Sequence, residues 1–188
     1  LLALSVTLAL VFVFTVGFQD AAGAIATSVS TRALTPLAAV LLAAGLNLVG
    51  ALVGERLARE VATGLVSPVA GPEGLLVISA ALGTAITWNF LTWWWGMPSS
   101  TSHALIAGMV GAALPWLVPV SWSTVVWSVL LPLLLVPVCG FAIGYLWSRA
   151  LIRLVEWSGW TRVNARFKQA QALSAAAYAL GHGLQAGQ

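Results

Sequence analysis

Charge is what this sequence lacks most. Only 7% of its 188 residues are Asp, Glu, Lys or Arg, against 60% hydrophobic, and the mean hydropathy is +0.97. A soluble domain carries about a quarter charged residues, so a water-facing surface is excluded and a multi-span membrane protein is expected. Period-2 alternation is missing too, which excludes a β-barrel and leaves helices. One cysteine, Cys139, excludes a disulfide within the chain and reads as a packing residue. No nucleophile–base pair and no metal cluster can be assembled, so an enzyme is not expected. The net charge of +3 is small, and five of the eight basic residues crowd between Arg149 and Lys168. That points to a cytoplasmic segment and not to a nucleic-acid surface.

What is present is a series of apolar runs. A span needs roughly 17 to 25 mostly apolar residues, and five candidates appear: 1–18, 35–53, 74–95, a short one over 103–118, and 122–147. Trp93, Trp94, Trp95, Trp116, Trp122 and Trp147 stand at span ends, as interfacial belts require. The opening run lacks a basic leader and a small-residue cleavage pattern, so a truncated span is expected there, not a signal peptide. The sequence reads as a piece of something longer. Arg149–Lys168 holds five basic residues and one acid, Glu156, and looks amphipathic. With that segment cytoplasmic, the mixed-charge loop Gly54–Glu73 and the N-terminus fall outside. The expected organisation is a first transmembrane repeat over 1–148, a basic linker over 149–170, and the start of a second, inverted repeat over 171–188. The basis for the repeat is "VGFQDAAGA" (16–24) against "LGHGLQAGQ" (180–188). Gly17 aligns with Gly183, Gln19 with Gln185 and Asp20 with Ala186. An odd number of spans between them inverts the second copy, a construction typical of secondary transporters.

Polar residues in such a chain are expensive and informative. Asp20 follows an apolar run, and a carboxylate at membrane depth needs a partner or water. It reads as a ligand for Na⁺ or a proton carrier, or as an interfacial cap. The small residues after it permit close helix approach or a break that frees carbonyls. Thr27, Ser28, Ser30 and Thr31 fit either a re-entrant segment or hydroxyls bonded back to their own helix. Asn47 reads as interhelical glue. Asn89, in a stripe with Thr84, Thr87 and Thr92, reads as part of a cavity face. In "GMPSSTSHAL" (96–105), Pro98 precedes four hydroxyl residues, Ser99, Ser100, Thr101 and Ser102. They stand where a short helix begins, with free backbone N–H groups and the positive end of its dipole. Together they read as an anion site that needs no buried Arg, or as an ordinary loop with an N-cap; four hydroxyls exceed what one cap needs and favour the anion site. His103 either touches the anion or anchors the turn.

These stretches resemble the inorganic phosphate transporter (PiT) family, the sodium- or proton-coupled phosphate carriers. "GFQDAAGAIATSVSTRALTP" (17–36) resembles its first signature. "WNFLTWWWGMPSSTSHAL" (88–105) resembles its long central motif, and "GHGLQAGQ" (181–188) resembles the repeat of the first. The resemblance implies an all-α, polytopic transporter with inverted repeats and discontinuous or re-entrant helices. It implies import of inorganic phosphate across the plasma membrane (the bacterial inner membrane), in symport with Na⁺ or H⁺ or as a metal–phosphate complex. No cofactor is implied beyond that coupling ion, and the partners are phosphate and lipid, with a homodimer kept in view and no nucleic acid. By transfer, Ser99, Ser100, Thr101, Ser102 and Asn89 bind phosphate. Asp20 and Gln19 hold the coupling cation, Gln185 is the second-repeat counterpart, and His103 and Thr27 stand nearby. The chain departs from the pattern at Gln19, Gly23, Gln185 and Ala186. Ala186 offers no side-chain ligand where the family has a carboxylate. A sulfate permease of the same fold and a transport-deficient homologue are the alternatives.

Overall fold

The computed structural model describes residues 1–65, 71–156 and 159–186, without the side chains of 21, 22, 55–65, 160–162 and 186. The chain is helical, with no strand among the described residues. Helix α1 is Leu2–Ser30, α2 Pro36–Leu65, α3 Pro72–Trp94 and α4 Thr101–Ala113. A 3₁₀ turn, Leu114–Trp116, leads to α5, Trp122–Thr124, which runs through a π-helical turn, Val125–Leu130, into α6, Leu131–Val155. Helix α7 is Trp160–Ala186. Among the described residues, four stretches are long and apolar enough to cross a membrane: Leu2–Ser30, Pro36–Gly54, Pro72–Trp94 and Trp122–Val155.

Local chemistry sets the breaks. Helix α1 ends where the Ala33 and Leu34 N–H groups both donate to Ser28 O, and Arg32 takes a left-handed φ of 56° in the tight turn to α2. Thr35 caps α2 by accepting from Ala38 N, and Pro36 supplies the preset φ of a first helical position. Helix α3 closes in a Schellman motif: Met97 N donates to Thr92 O and Gly96 N to Trp93 O, with Gly96 at φ 66°. Pro98 prevents continuation, and Ser100 caps α4. A glycine, a proline and a cap therefore reverse the chain within residues 95–100.

Paired side chains fix the directions of the helices. Ser5 meets Ser79, Thr15 meets Asn89 and Gln19 meets Thr92, so α1 and α3 run parallel. Asp20 meets His182 and Thr31 meets Gln171, so α7 runs antiparallel to α1. Helix α4 folds back along α3, with Gly108 against Ala81. Thr101 touches Asp20, which puts the α3–α4 tip level with Asp20. Ten further residues carry α1 onward by about 15 Å. Helices α3 and α4 thus form a hairpin whose tip stops part-way along α1.

The expected fourth span is therefore corrected. Helix α4 has 13 residues and rises only about 20 Å, short of the roughly 30 Å hydrocarbon core. The loop expected over Gly54–Glu73 is helical as far as Leu65; its charged residues Glu55, Arg56, Arg59 and Glu60 have side chains outside the described residues. Residues 149–170, expected as a linker, belong mostly to the end of α6 and the start of α7; Trp157 and Ser158 between them lie outside the described residues.

Packing relies on small residues. A Cβ on Gly50 would sit 2.5 Å from Leu180 O, and Cβ atoms on Gly54 and Gly183 would overlap Leu184 O and Asn47 O. Helices α2 and α7 thus touch backbone to backbone, as membrane helices do without a hydrophobic drive to associate. The Trp122–Val155 stretch, by contrast, is bare. Val125 alone is buried, against Ala113 at the end of α4.

Candidate functional site

At the tip of the hairpin, α1, α4 and α7 enclose a cavity of about 150 Å³. Helix α1 contributes Val16 and Asp20, α4 contributes Ser100, Thr101 and Ser102, and α7 contributes Tyr178, His182 and Gln185. Every side chain except Val16 is polar. A larger depression of about 420 Å³ lies at the start of α3. Its lining of Gly71, Pro72, Gly74, Leu75 and Ile78 has no hydrogen-bonding side chain, so chemistry favours the smaller one.

Asp20 is the centre of the cavity. Its Oδ2 accepts from Thr101 Oγ1 at 3.2 Å and lies 3.1 Å from His182 Nε2. Its Oδ1 has no protein partner among the described residues, which leaves it free for a ligand. The other His182 nitrogen, Nδ1, lies 3.1 Å from Asn47 Oδ1. Both contacts are hydrogen bonds together when the ring carries two protons, or when the Asn47 amide turns its Nδ2 toward a neutral ring. Asn47 is thus the interhelical glue expected of it, holding α2 to α7.

The first turn of α4 supplies the donors. Ser100 Oγ accepts from His103 N at 3.3 Å and lies 2.7 Å from His103 Nδ1. His103 therefore anchors the turn and does not line the cavity. Thr101 and Ser102 present hydroxyls beside backbone N–H groups that no helical carbonyl satisfies. No Lys, Arg, Asp or Glu occurs between Glu73 and Arg149, and none of the lining residues is a Lys or Arg. The donors this tip offers an anion are helix N–H groups and hydroxyls.

The structure separates the residues expected to act together. Asp20, Ser100, Thr101, Ser102 and Gln185 meet at the cavity. Ser99 turns away, its Oγ accepting from Trp88 Nε1 at 2.9 Å. Thr27 is exposed two turns beyond Asp20, in an unbroken helix. Its neighbours Ser28, Ser30 and Thr31 bond back to the carbonyls of α1, so the segment is not re-entrant. Thr84 and Thr87 bond back to Ala80 and Gly83 and are exposed. Gln19 and Asn89 line a different place, the seam between α1 and α3. Ala186 has its side chain outside the described residues. Sequence reasoning missed His182 and Tyr178. An ionisable His flanked by glycines in a helix that packs inside a membrane protein was the available signal.

Residues 16–159, a segment that holds Asp20 and the whole hairpin, match the model of the phosphate transporter family. The chain belongs to that family. It is 49% identical over 185 residues to a probable low-affinity inorganic phosphate transporter of Streptomyces halstedii, covering 98% of this chain and 87% of the relative. A protein of the same name from Bacillus subtilis is 37% identical, covering 96% of this chain and 54% of the relative. The low-affinity inorganic phosphate transporter PitA of Escherichia coli is 33% identical over 164 residues, covering 80% and 32%. The chain thus spans about half or less of these last two relatives. No solved structure matches. Family membership and the long apolar helices fit a multi-pass plasma-membrane protein, and the relatives carry the names of transporters, not of enzymes. The family match ends at Gly159, before α7, so the contribution of His182 and Tyr178 to the cavity is read from the geometry.

Proposed function

We propose that this chain carries the phosphate-binding part of an inorganic phosphate transporter, with the anion held at the tip of the α3–α4 hairpin. The observation that supports it is the convergence of Asp20, Thr101 and His182 at the start of α4. In this reading Ser100, Thr101, Ser102 and the free N–H groups of α4 donate to phosphate oxygens. Phosphate keeps a proton near neutral pH, and Asp20 Oδ1 accepts from that P–OH. Sulfate has no such proton to offer and meets the carboxylate only as repulsion.

Symport follows from charge. Two unit charges 4 Å apart interact by about 4 kcal/mol at an effective dielectric constant of 20. A phosphate dianion beside Asp20 is therefore disfavoured by roughly twice that. A co-bound Na⁺, a proton on His182 or Asp20, or a divalent metal carried with the phosphate removes the penalty, so anion and cation move together. Gln19 faces α3 and not this cavity, and in this reading Asp20 is the carboxylate that meets the coupling cation. In this reading α1 and α7, antiparallel and in contact at Asp20 and His182, belong to two inverted halves that rock to alternate access.

The test is labelled-phosphate uptake into proteoliposomes holding the full-length protein, with imposed Na⁺ or H⁺ gradients and excess unlabelled sulfate. Gradient-driven uptake that sulfate leaves intact and Asp20→Ala abolishes is the expected result. Competition by sulfate would turn the reading to a sulfate permease. Absence of uptake from folded protein would turn it to a transport-deficient homologue.

A further inference from the structure

Helices α1 and α7 meet in a ladder of matched positions. Thr31 bonds Gln171, and Asp20 lies 3.1 Å from His182. Between these rungs Gly23 faces Tyr178. Gly23 comes three residues after Asp20 and Tyr178 four before His182. Residues three or four apart share a helix face, so the pair stands on the Asp20 side of α1, one helical turn or about 5 Å further along it. A Cβ on Gly23 would meet one atom of another helix, Tyr178 Oη, at 3.5 Å. A Cβ on Gly17, the other glycine of α1, would meet nothing within 4 Å.

The phenol is a donor without an acceptor. Tyr178 lines the Asp20 cavity, and its hydroxyl makes no hydrogen bond among the described residues, unlike the rungs on either side. Asp20 Oδ2 is already held by Thr101 and His182. A tyrosine hydroxyl inside a protein normally finds a partner. Here its hydrogen is left for what enters the cavity. Gly23 makes the arrangement possible, because the atoms of a longer side chain at position 23 would occupy the place of the hydroxyl.

We infer that Tyr178 is a phosphate ligand: from the space that Gly23 leaves open, its hydroxyl donates to an oxygen of the anion held beside Asp20. The inference rests on the phosphate reading of this cavity and adds a residue to it. A phenol donates without bringing a charge, as do the hydroxyls and N–H groups of α4. It comes from α7, so binding draws on both helices at once and holds the anion between the hairpin tip and α7. Position 23 is a place where the chain departs from the family pattern, and the family match stops before Tyr178. Neither residue of the pair is one to which the resemblance gives a role.

The experiment reads phosphate binding and phosphate uptake in the purified full-length protein. Binding is followed as the rise of the thermal midpoint in detergent with inorganic phosphate concentration. Uptake of labelled phosphate into proteoliposomes gives KM and kcat. Tyr178→Phe keeps the ring and loses the donor. Losing a hydrogen bond to a charged group weakens binding by about tenfold or more. The variant therefore needs about ten times the phosphate for the same midpoint rise, and its KM rises as much with kcat and the phosphate-free midpoint unchanged. Gly23→Asn brings an amide donor into the same space. On the Tyr178→Phe background it restores the phosphate response, so the two positions are coupled in a double-mutant cycle. A Tyr178→Phe protein with a lower phosphate-free midpoint and a wild-type phosphate response would make the ring a packing residue between α1 and α7 and overturn the inference. Wild-type protein that phosphate stabilises and Asp20→Ala that it does not, beside a Tyr178→Phe that responds as wild type, would overturn this inference alone. Wild-type protein that phosphate neither stabilises nor enters through would overturn the phosphate reading and this inference with it.

Discussion

Gly183→Ala tests the packing on which the site depends. A Cβ at Gly183 overlaps Asn47 O and sits 2.7 Å from Asn47 Cα and 2.8 Å from its carbonyl carbon, where ordinary contact begins at 3.4 Å. All three atoms are backbone, so α2 and α7 must separate by several tenths of an ångström or more. Overpacking of this kind costs about 1–3 kcal/mol, and in a chain of this length roughly 2–4 °C of midpoint per kcal/mol. The same separation acts on the neighbouring residue. His182 bridges Asn47 and Asp20 through two contacts of 3.1 Å, and parting the helices lengthens the Asn47 arm beyond hydrogen-bonding range. Gly181 is the control, because nothing lies within 4 Å of its added Cβ. There alanine is expected to raise helix stability by up to about 1 kcal/mol. Thermal denaturation in detergent reads both, and phosphate uptake reads the bridge. If Gly183→Ala unfolded at the wild-type midpoint, or no lower than Gly181→Ala, the backbone contact between α2 and α7 would be wrong.

The remaining predictions concern the hairpin. Thr101→Val keeps shape but removes the hydroxyl on Asp20; a hydrogen bond to a charged group is worth about 1.5–3 kcal/mol, so the KM for phosphate uptake rises roughly tenfold or more, and Thr101→Ser restores it. Gly96→Ala forces a side chain onto a φ of 66° and costs about 1–2 kcal/mol, read as a lower midpoint with α3 frayed at its end. Trp88→Phe removes the indole donor to Ser99 and costs about 0.5–1.5 kcal/mol; hydrogen exchange at residues 95–100 rises while the rest of the chain is unchanged.

Much of the hairpin was legible in the sequence because its signals are local. Gly96, Pro98 and Ser100 each act within a few residues, so a break and a short helix follow from their order alone. The convergence of Asp20 with Ser100–Ser102 rests on contacts between distant helices, and the family resemblance, not residue spacing, supplied it in advance. Asn89 shows the limit. Its threonine neighbours suggested a cavity face, and only the pairing of α1 with α3 places it in the seam, away from the cavity at Asp20. Thr84 and Thr87 share its helix and differ by facing outward, where back-bonding satisfies them. His182 went unread because its meaning lies in Asp20, 162 residues away. The end of α2 was missed for another reason: the charged residues after Gly54 read as loop, yet straight-chain Arg and Glu are good helix formers, and α2 runs on to Leu65.

Among the described residues lining the cavity none is a Lys or Arg, and this has a kinetic consequence. An anion held by helix N–H groups and hydroxyls meets no fixed opposite charge, and Asp20 beside it pushes back once the coupling cation departs. For the transport proposed here, loss of the cation on the inner side would itself eject the phosphate. Such a site favours turnover over tightness. Placing an arginine at Ser102 would make a better trap and a slower carrier.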